Sequence, residues 1–305
     1  MYDIIGDIHG HADKLTALLA RLGYRHQDGA WRHPQRSAIF VGDFIDRGPG
    51  QLETIGIVRT MLDAGSAQAV MGNHEFNAIG WHTPDPELPG EHQRRHSAKN
   101  HYQHSAFLTE AGHDPRLHQE LVDWFLELPV WLDLPGLRVI HACWDPVQVA
   151  RLAPMLRAGN RLDAGLVEAA HRHGTPEYEA IEVLLKGPEA ELPAQMQFTD
   201  PHGQLRNKVR LRWWNPAAPS FREAAIVDDA TREQLPDLPV PPGVLPLAPT
   251  DKPLFFGHYW ETGTPSPLAQ RIACVDYSAC NGGPLVAYRW DGELDLAAAN
   301  FVAVH

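Results

Sequence analysis

One pattern of apolar and polar positions occurs three times in the first quarter of the chain. Tyr2 to Ile5 is a short apolar run, Gly6-Asp7-Ile8-His9-Gly10 follows, and Leu15, Leu18, Leu19 and Leu22 then recur at helical spacing before Gly23. This spacing predicts a strand, a polar turn and a helix. Ser37 to Val41, the turn Gly42-Asp43-Phe44-Ile45-Asp46-Arg47-Gly48-Pro49 and the stripe Leu52, Ile55, Val58, Met61 and Leu62 repeat it up to Gly65. Ala67 to Met71, leading into Gly72-Asn73-His74-Glu75, begins it a third time. Three polar turns are thus expected beyond the carboxyl ends of three strands, where open α/β sheets place ligands.

Farther along, the pattern loosens. Residues 80 to 118 are polar and carry His82, His92, His96, His101, His104, His113 and His118. They predict a mostly helical insertion whose histidines form a solvated surface. With the stripe Leu121, Val122, Trp124, Phe125 and Leu128, residues 80–128 read as a cap-like insertion within one domain spanning 1–305. Leu137 to Ile140 predicts a strand delivering His141, and Glu177 to Leu185 a helix with Ile181, Leu184 and Leu185 inward. Six prolines from Pro236 to Pro249 predict an irregular crossing of the surface. Leu254 to Phe256, Arg271 to Val275 and Leu285 to Trp290 predict strands, so the carboxyl-terminal third is read as mainly β.

Composition narrows the function classes. The chain has 305 residues, 44% of them hydrophobic, which is ample for a core, and its 26 Lys+Arg against 38 Asp+Glu give a charge of −12. Such a chain does not coat nucleic acid or anionic membrane by general electrostatics, and a polyanionic substrate needs local positive charge. Cys143, Cys274 and Cys280 show no CxxC spacing and favour a reducing compartment, with Cys143 expected to be a small buried thiol. No apolar run of membrane length and no basic, apolar leader is evident, so a cytoplasmic location is expected.

Each polar turn taken alone reads as ordinary Gly-Asp turn chemistry or helix capping. Together they put Asp7, His9, Asp43, Asn73, His141 and His258 just beyond apolar runs. Carboxylate, imidazole and amide oxygen suit divalent Mn, Fe, Zn or Co. Six such ligands exceed the needs of one tetrahedral ion; with a bridging carboxylate, two ions can lie about 3.5 to 4 Å apart, an arrangement that clamps attacking and leaving oxygens in phosphoryl hydrolysis.

The three blocks Gly6-Asp7-Ile8-His9-Gly10, Gly42-Asp43-Phe44-Ile45-Asp46-Arg47-Gly48 and Gly72-Asn73-His74-Glu75 resemble the signatures of the phosphoprotein phosphatase group of calcineurin-like metallophosphoesterases. The amino-terminal run, through Leu22-Gly23-Tyr24 and His33-Pro34 to Phe40-Val41, is similar to that of bacterial dinucleoside tetraphosphatases and of the phosphatase module of polynucleotide repair enzymes. The resemblance implies an α/β fold of two mixed sheets packed as a sandwich between helices. It also implies two divalent ions, manganese first among Mn, Fe, Zn, Co and Ni. Asp7 and His9 would hold the first, Asp43 would bridge, and Asn73, His141 and His258 would hold the second. A metal-bound hydroxide would attack the phosphorus without a covalent intermediate. His74 would protonate the leaving oxygen, Asp46 would orient it, and Arg47 would grip the phosphoryl group with Asn73 beside it.

Residues Lys208 to Pro216 resemble a tryptophan-containing substrate loop in the family, so a second phosphate contact falls to Lys208, Arg210 or Arg212, with Arg212 preferred. Two departures stand out: Ala142-Cys143 replaces a frequent pair of glycines, and Trp260 occupies the place of a second histidine in many other metallophosphoesterases. The expected function is a metal-dependent phosphatase acting on a small nucleotide-type phosphoanhydride such as a dinucleoside polyphosphate, with Trp81, Tyr102, Trp213 or Trp214 offering a face to a base. A Ser/Thr protein phosphatase acting on a protein substrate would use the same metals but needs a shallow surface, which the insertion opposes. Nucleic-acid end processing needs a basic track. A non-catalytic interaction protein would have lost ligands or the acid, and none is missing.

Overall fold

The computed structural model describes residues 1–199, 205–215, 220–247 and 251–305. Two sheets dominate. The first holds β1 (Tyr2–Ile5), β2 (Ser37–Phe40), β3 (Ala67–Ala69), β8 (Leu285–Trp290) and β9 (Phe301–Val304) in the order β9-β8-β1-β2-β3, with β1, β2 and β3 parallel. The second holds β4 (Trp131–Asp133), β5 (Arg138–Ile140), β6 (Leu254–Phe256) and β7 (Ile272–Cys274) in the order β7-β6-β5-β4, with β5, β6 and β7 parallel. Both sheets are mixed, because β8 runs antiparallel to β1 and β4 antiparallel to β5.

Side chains alternate across a strand, and here both faces are apolar. Ile4 and Ile39 meet Val139, Phe255, Ala273 and Val275 of the other sheet, with Tyr288 and Trp290 of β8 closing the layer. Their neighbours Ile5, Ala38 and Phe40 point outward and pack under helices α1 (Ala12–Leu22), α2 (Gln51–Asp63) and α3 (Asn73–His82). Burying Ile39 or Phe255 between the sheets contributes about 1.5 to 3 kcal/mol each. The protein is therefore an α/β sandwich of two mixed sheets flanked by helices, as the family resemblance implies.

Within residues 80–128, helices α4 (Ala98–Ala111) and α5 (Pro115–Phe125) have clear local causes. Ser97 caps the first through the Asn100 N–H, and Asp114 followed by Pro115 caps the second. This segment does not carry only solvated histidines. His104, Phe107 and Ala111 lie on one buried stripe of α4, and Phe107 joins Leu121, Val122 and Phe125 in the helix-side core. His104 and His118 are buried, whereas His96, His101 and His113 are exposed. Residues 146–186 add α6 (Pro146–Leu152), α7 (Ala164–His171) and α8 (Pro176–Lys186), of which only the last is legible as an apolar stripe. No helix among the described residues is long and apolar enough to cross a membrane.

Candidate metal centre

The carboxyl ends of β1, β2, β3, β5 and β6 open on one side of the sandwich, and the turns beyond them are tied together. Ile8 and His9 donate their N–H groups to the Asp43 carbonyl at 3.1 and 2.9 Å, and Gly10 donates to that of Phe44 at 2.8 Å. Glu75, fully buried, accepts from Asp43 N and Gly72 N on one oxygen and from Phe44 N on the other, at 2.8 to 2.9 Å. Glycine is required where these turns touch side chains: a Cβ on Gly257 would stand 1.9 Å from Asp7 Oδ1, and one on Gly72 2.2 Å from Asp43 Oδ1. Backbone strain gathers here too. His9, Asp43, Asp46, Arg47, His258 and Trp260 all hold φ between 48° and 72°, a region that costs non-glycine residues free energy and recurs at functional sites.

Asp43 is common to two groups of ligand atoms, one formed with His9 and His74 and the other with His141 and His258. His9 Nδ1 donates to the Ile45 carbonyl at 2.8 Å, which leaves Nε2 as a buried lone pair with no hydrogen-bond partner. Burial, aided by His74 and opposed by Asp43, lowers its pKa to about 4, so the ring is neutral and fit to bind a metal. His141 Nδ1 likewise donates to the Val41 carbonyl at 2.7 Å. Its Nε2 then faces Asn73 Oδ1 at 3.1 Å and Asp43 Oδ1 at 3.4 Å. Three acceptors turned on one another need a proton or a cation between them. Burial opposes charge on His141, yet Asp43 lifts its pKa above the ordinary range.

Asp7 shows the same demand. Its Oδ2 accepts from His258 N at 3.0 Å, while its buried Oδ1 has no partner. Burial, then Asp276 and Asp43, push this carboxyl well above its usual range. A cation would relieve the crowding. Burial followed by Arg210 holds His258 well below the imidazole range, again a neutral donor. The donor set and its orphaned atoms thus fit divalent ions, with Asp7, His9, Asp43, Asn73, His141 and His258 supplying oxygen and nitrogen.

Next to these groups His74 Nδ1 meets Asp46 Oδ2 at 2.5 Å, and its Nε2 lies 3.9 Å from Asp43 Oδ2. The other Asp46 oxygen is held by His104 Nδ1 at 2.8 Å, a contact that the polar look of the insertion hides in the sequence. Asp46 N also donates to Gln51 Oε1 at 2.6 Å. Burial opposes ionisation of Asp46, but the two imidazoles hold its carboxyl well below the usual range.

The cavity over the centre has a volume of about 830 Å³. It is lined by Arg47, Arg94, Lys99, Lys186, Arg206 and Arg210 against only Asp43, Asp46 and Glu182, so positive charge is concentrated there in a chain of net charge −12. Arg47 lies over the Trp260 ring at 5.5 Å from its centroid. Arg212, preferred from the sequence, does not line the cavity. The extended segment ends near Arg210 and turns at Trp213 and Trp214, which pack on Phe256 and Tyr259. Arg212 instead approaches Glu261, Asp229 and Arg232. Arg210 does line it, with Nη1 2.9 Å from His258 Nε2. Trp213, Trp214 and Trp81 are buried, the last stacked on His96, and the Trp and Tyr residues that line the cavity are Trp260, Tyr178 and Tyr259.

Residues 2–174, more than half of the chain, match the calcineurin-like phosphoesterase family. The chain belongs to this family. Among curated relatives, an asymmetrical bis(5'-nucleosyl)-tetraphosphatase from Halalkalibacterium halodurans is 47% identical over 74 residues, 24% of this chain and 30% of that one. The chain thus matches under a third of the length of such relatives. A symmetrical bis(5'-nucleosyl)-tetraphosphatase of Hamiltonella defensa is 26% identical across 94% of this chain and 93% of its own. A protein serine/threonine phosphatase structure from Saccharomyces cerevisiae covers 99% of this chain and 78% of its own at 14% identity, with a TM-score of 0.49.

Two expectations follow from the way this phosphoesterase site is built. In Glu75→Gln an amide N–H must face one of the three backbone N–H donors, so stability should fall by about 1 to 3 kcal/mol. An unchanged denaturation midpoint would refute that role. Cys143 and Cys274 are fully buried with thiol pKa values pushed well up by burial, and burial raises half-buried Cys280 to about 11. Native protein at pH 8 should therefore react slowly with iodoacetamide at all three, as mass spectrometry would read, and rapidly once unfolded.

Proposed function

We propose that this phosphoesterase hydrolyses a small nucleotide-type phosphoanhydride, of the dinucleoside polyphosphate class, with two divalent ions of which manganese is the first choice. The observation that carries the reading is the cationic cavity joined to two ligand groups that share Asp43. A short, dense phosphate chain gains from such a focus, whereas the acidic surface repels an extended polyanion. The names of the tetraphosphatase relatives agree with it.

In this reading Asp7, His9, Asp43, Asn73, His141 and His258 hold the ions. When bound, these supply Lewis acidity and a water of lowered pKa. Arg47 and Arg210 orient the phosphoryl oxygens through planar, charge-assisted hydrogen bonds. His74 carries a proton on Nε2 toward the leaving oxygen, and Asp46 fixes the ring through Nδ1. None of the three thiols takes part.

Steady-state hydrolysis of diadenosine tetraphosphate and of a phosphoserine peptide, each with added Mn²⁺, tests the substrate class. The expected result is a higher kcat/KM on the nucleotide. A higher value on the peptide would replace this reading with that of a protein phosphatase.

A further inference from the structure

Arg94 lies in the insertion, outside every motif read from the sequence, and its surroundings are unusual for a cation. Its Nη1 donates to Asn77 Oδ1 at 2.5 Å, and its Nη2 to Gln103 Oε1 at 3.0 Å and Asn100 Oδ1 at 3.3 Å. All three acceptors are neutral amides. Among the described residues Arg94 makes no ion pair, although it is half-buried and lines the cavity over the metal centre. The backbone holds its base in place through Arg94 N to Gly80 O at 2.9 Å.

A guanidinium of this kind is positioned but not neutralised, whereas Arg59, Arg138, Arg157 and Arg172 elsewhere in the chain all pair with carboxylates. Burial takes away part of its hydration while the Asp46 and Glu182 carboxylates act on it only from beyond ion-pair distance, a cost that an incoming anion can return. Exposed Lys99 lines the same wall and also has no carboxylate partner among the described residues. Arg210 bonds His258 and Arg47 follows Asp46 in the chain, whereas Arg94 is anchored to Asn77, one turn past His74 on α3, and to Asn100 and Gln103 of α4.

We propose that Arg94, fixed by Asn77, Asn100 and Gln103 and accompanied by Lys99, is a second anion site that receives a phosphate beyond the scissile one. It gives the enzyme a preference for phosphate chains over monoesters. This deepens the reading above and rests on it for the substrate class, but the site itself can be probed without any nucleotide.

The experiment measures inhibition of p-nitrophenyl phosphate hydrolysis by tripolyphosphate and by orthophosphate, at fixed excess free Mn²⁺ because tripolyphosphate chelates the ion. In Arg94→Gln the inhibition constant for tripolyphosphate should rise about ten- to a hundred-fold, the worth of a charge-assisted hydrogen bond, and that for orthophosphate much less. Asn100→Asp and Gln103→Glu keep the contacts but place a carboxylate on the guanidinium, so each should shift tripolyphosphate in the same direction even if Arg94→Gln folds poorly. Equal shifts for the two inhibitors, or no shift in any of the three variants, would overturn the second site. If wild-type protein binds tripolyphosphate through Arg94 yet leaves diadenosine tetraphosphate intact, the substrate reading fails and the anion site stands.

Discussion

Asp43→Asn protein, purified and equilibrated with Mn²⁺, should hold at most one ion per chain and lose at least about 10³-fold in turnover, equivalent to several kcal/mol of lost electrostatic stabilisation. The expectation follows from Asp43 being the one residue shared by the two ligand groups. His9→Asn touches only one of the groups and should lose one ion, not both. Folding is separable from binding here, because an asparagine oxygen can still accept the His74 N–H that Asp43 Oδ1 now accepts at 2.9 Å. Elemental analysis together with a thermal melt checks this. Two tightly held ions in Asp43→Asn protein, with normal turnover, would refute the shared-ligand arrangement.

The strands that carry Asp7, Asp43 and Asn73 were legible because each ends a run of apolar residues at a glycine, and period and turn chemistry agree there. The observed strands Tyr2–Ile5, Ser37–Phe40, Leu254–Phe256 and Leu285–Trp290 lie on the expected runs to within a residue. Failure came where a polar side chain does core work. His104 looks like one more surface histidine in a polar helix, yet its partner Asp46 is 58 residues away, and no local pattern encodes such a contact. A stripe of His104, Phe107 and Ala111 at helical spacing was the available hint.

Arg212 was preferred within a segment that resembles a tryptophan-containing substrate loop. The burial of Trp213, whose Nε1 donates to the Ala142 carbonyl and the Tyr259 hydroxyl, bends the chain away first. The helices from 146 to 171 were missed although Asp145-Pro146 and Asp163 are ordinary caps, because their apolar stripes are short.

His74→Asn should lose about 10² to 10⁴-fold in kcat on a substrate with a poor leaving group and far less on p-nitrophenyl phosphate, whose phenolate departs with little protonation. The geometry explains why the effect should grade outward from the ring. Asp46 grips His74 Nδ1 at 2.5 Å, which fixes the tautomer and turns Nε2 toward the Asp43 side of the site. Asp46→Asn weakens that grip without removing the imidazole, so it should show the same leaving-group dependence at a smaller size. His104→Phe frees one Asp46 oxygen while the His74 bond and the Gln51 contact remain, and phenylalanine can keep the stack on Phe107. Its loss should be smaller again, but still larger for the poor leaving group. That order distinguishes a chain acting through the His74 proton from three residues that merely pack the site. Packing defects would lower the two substrates alike, and equal losses in His74→Asn would show that this imidazole does not deliver the proton.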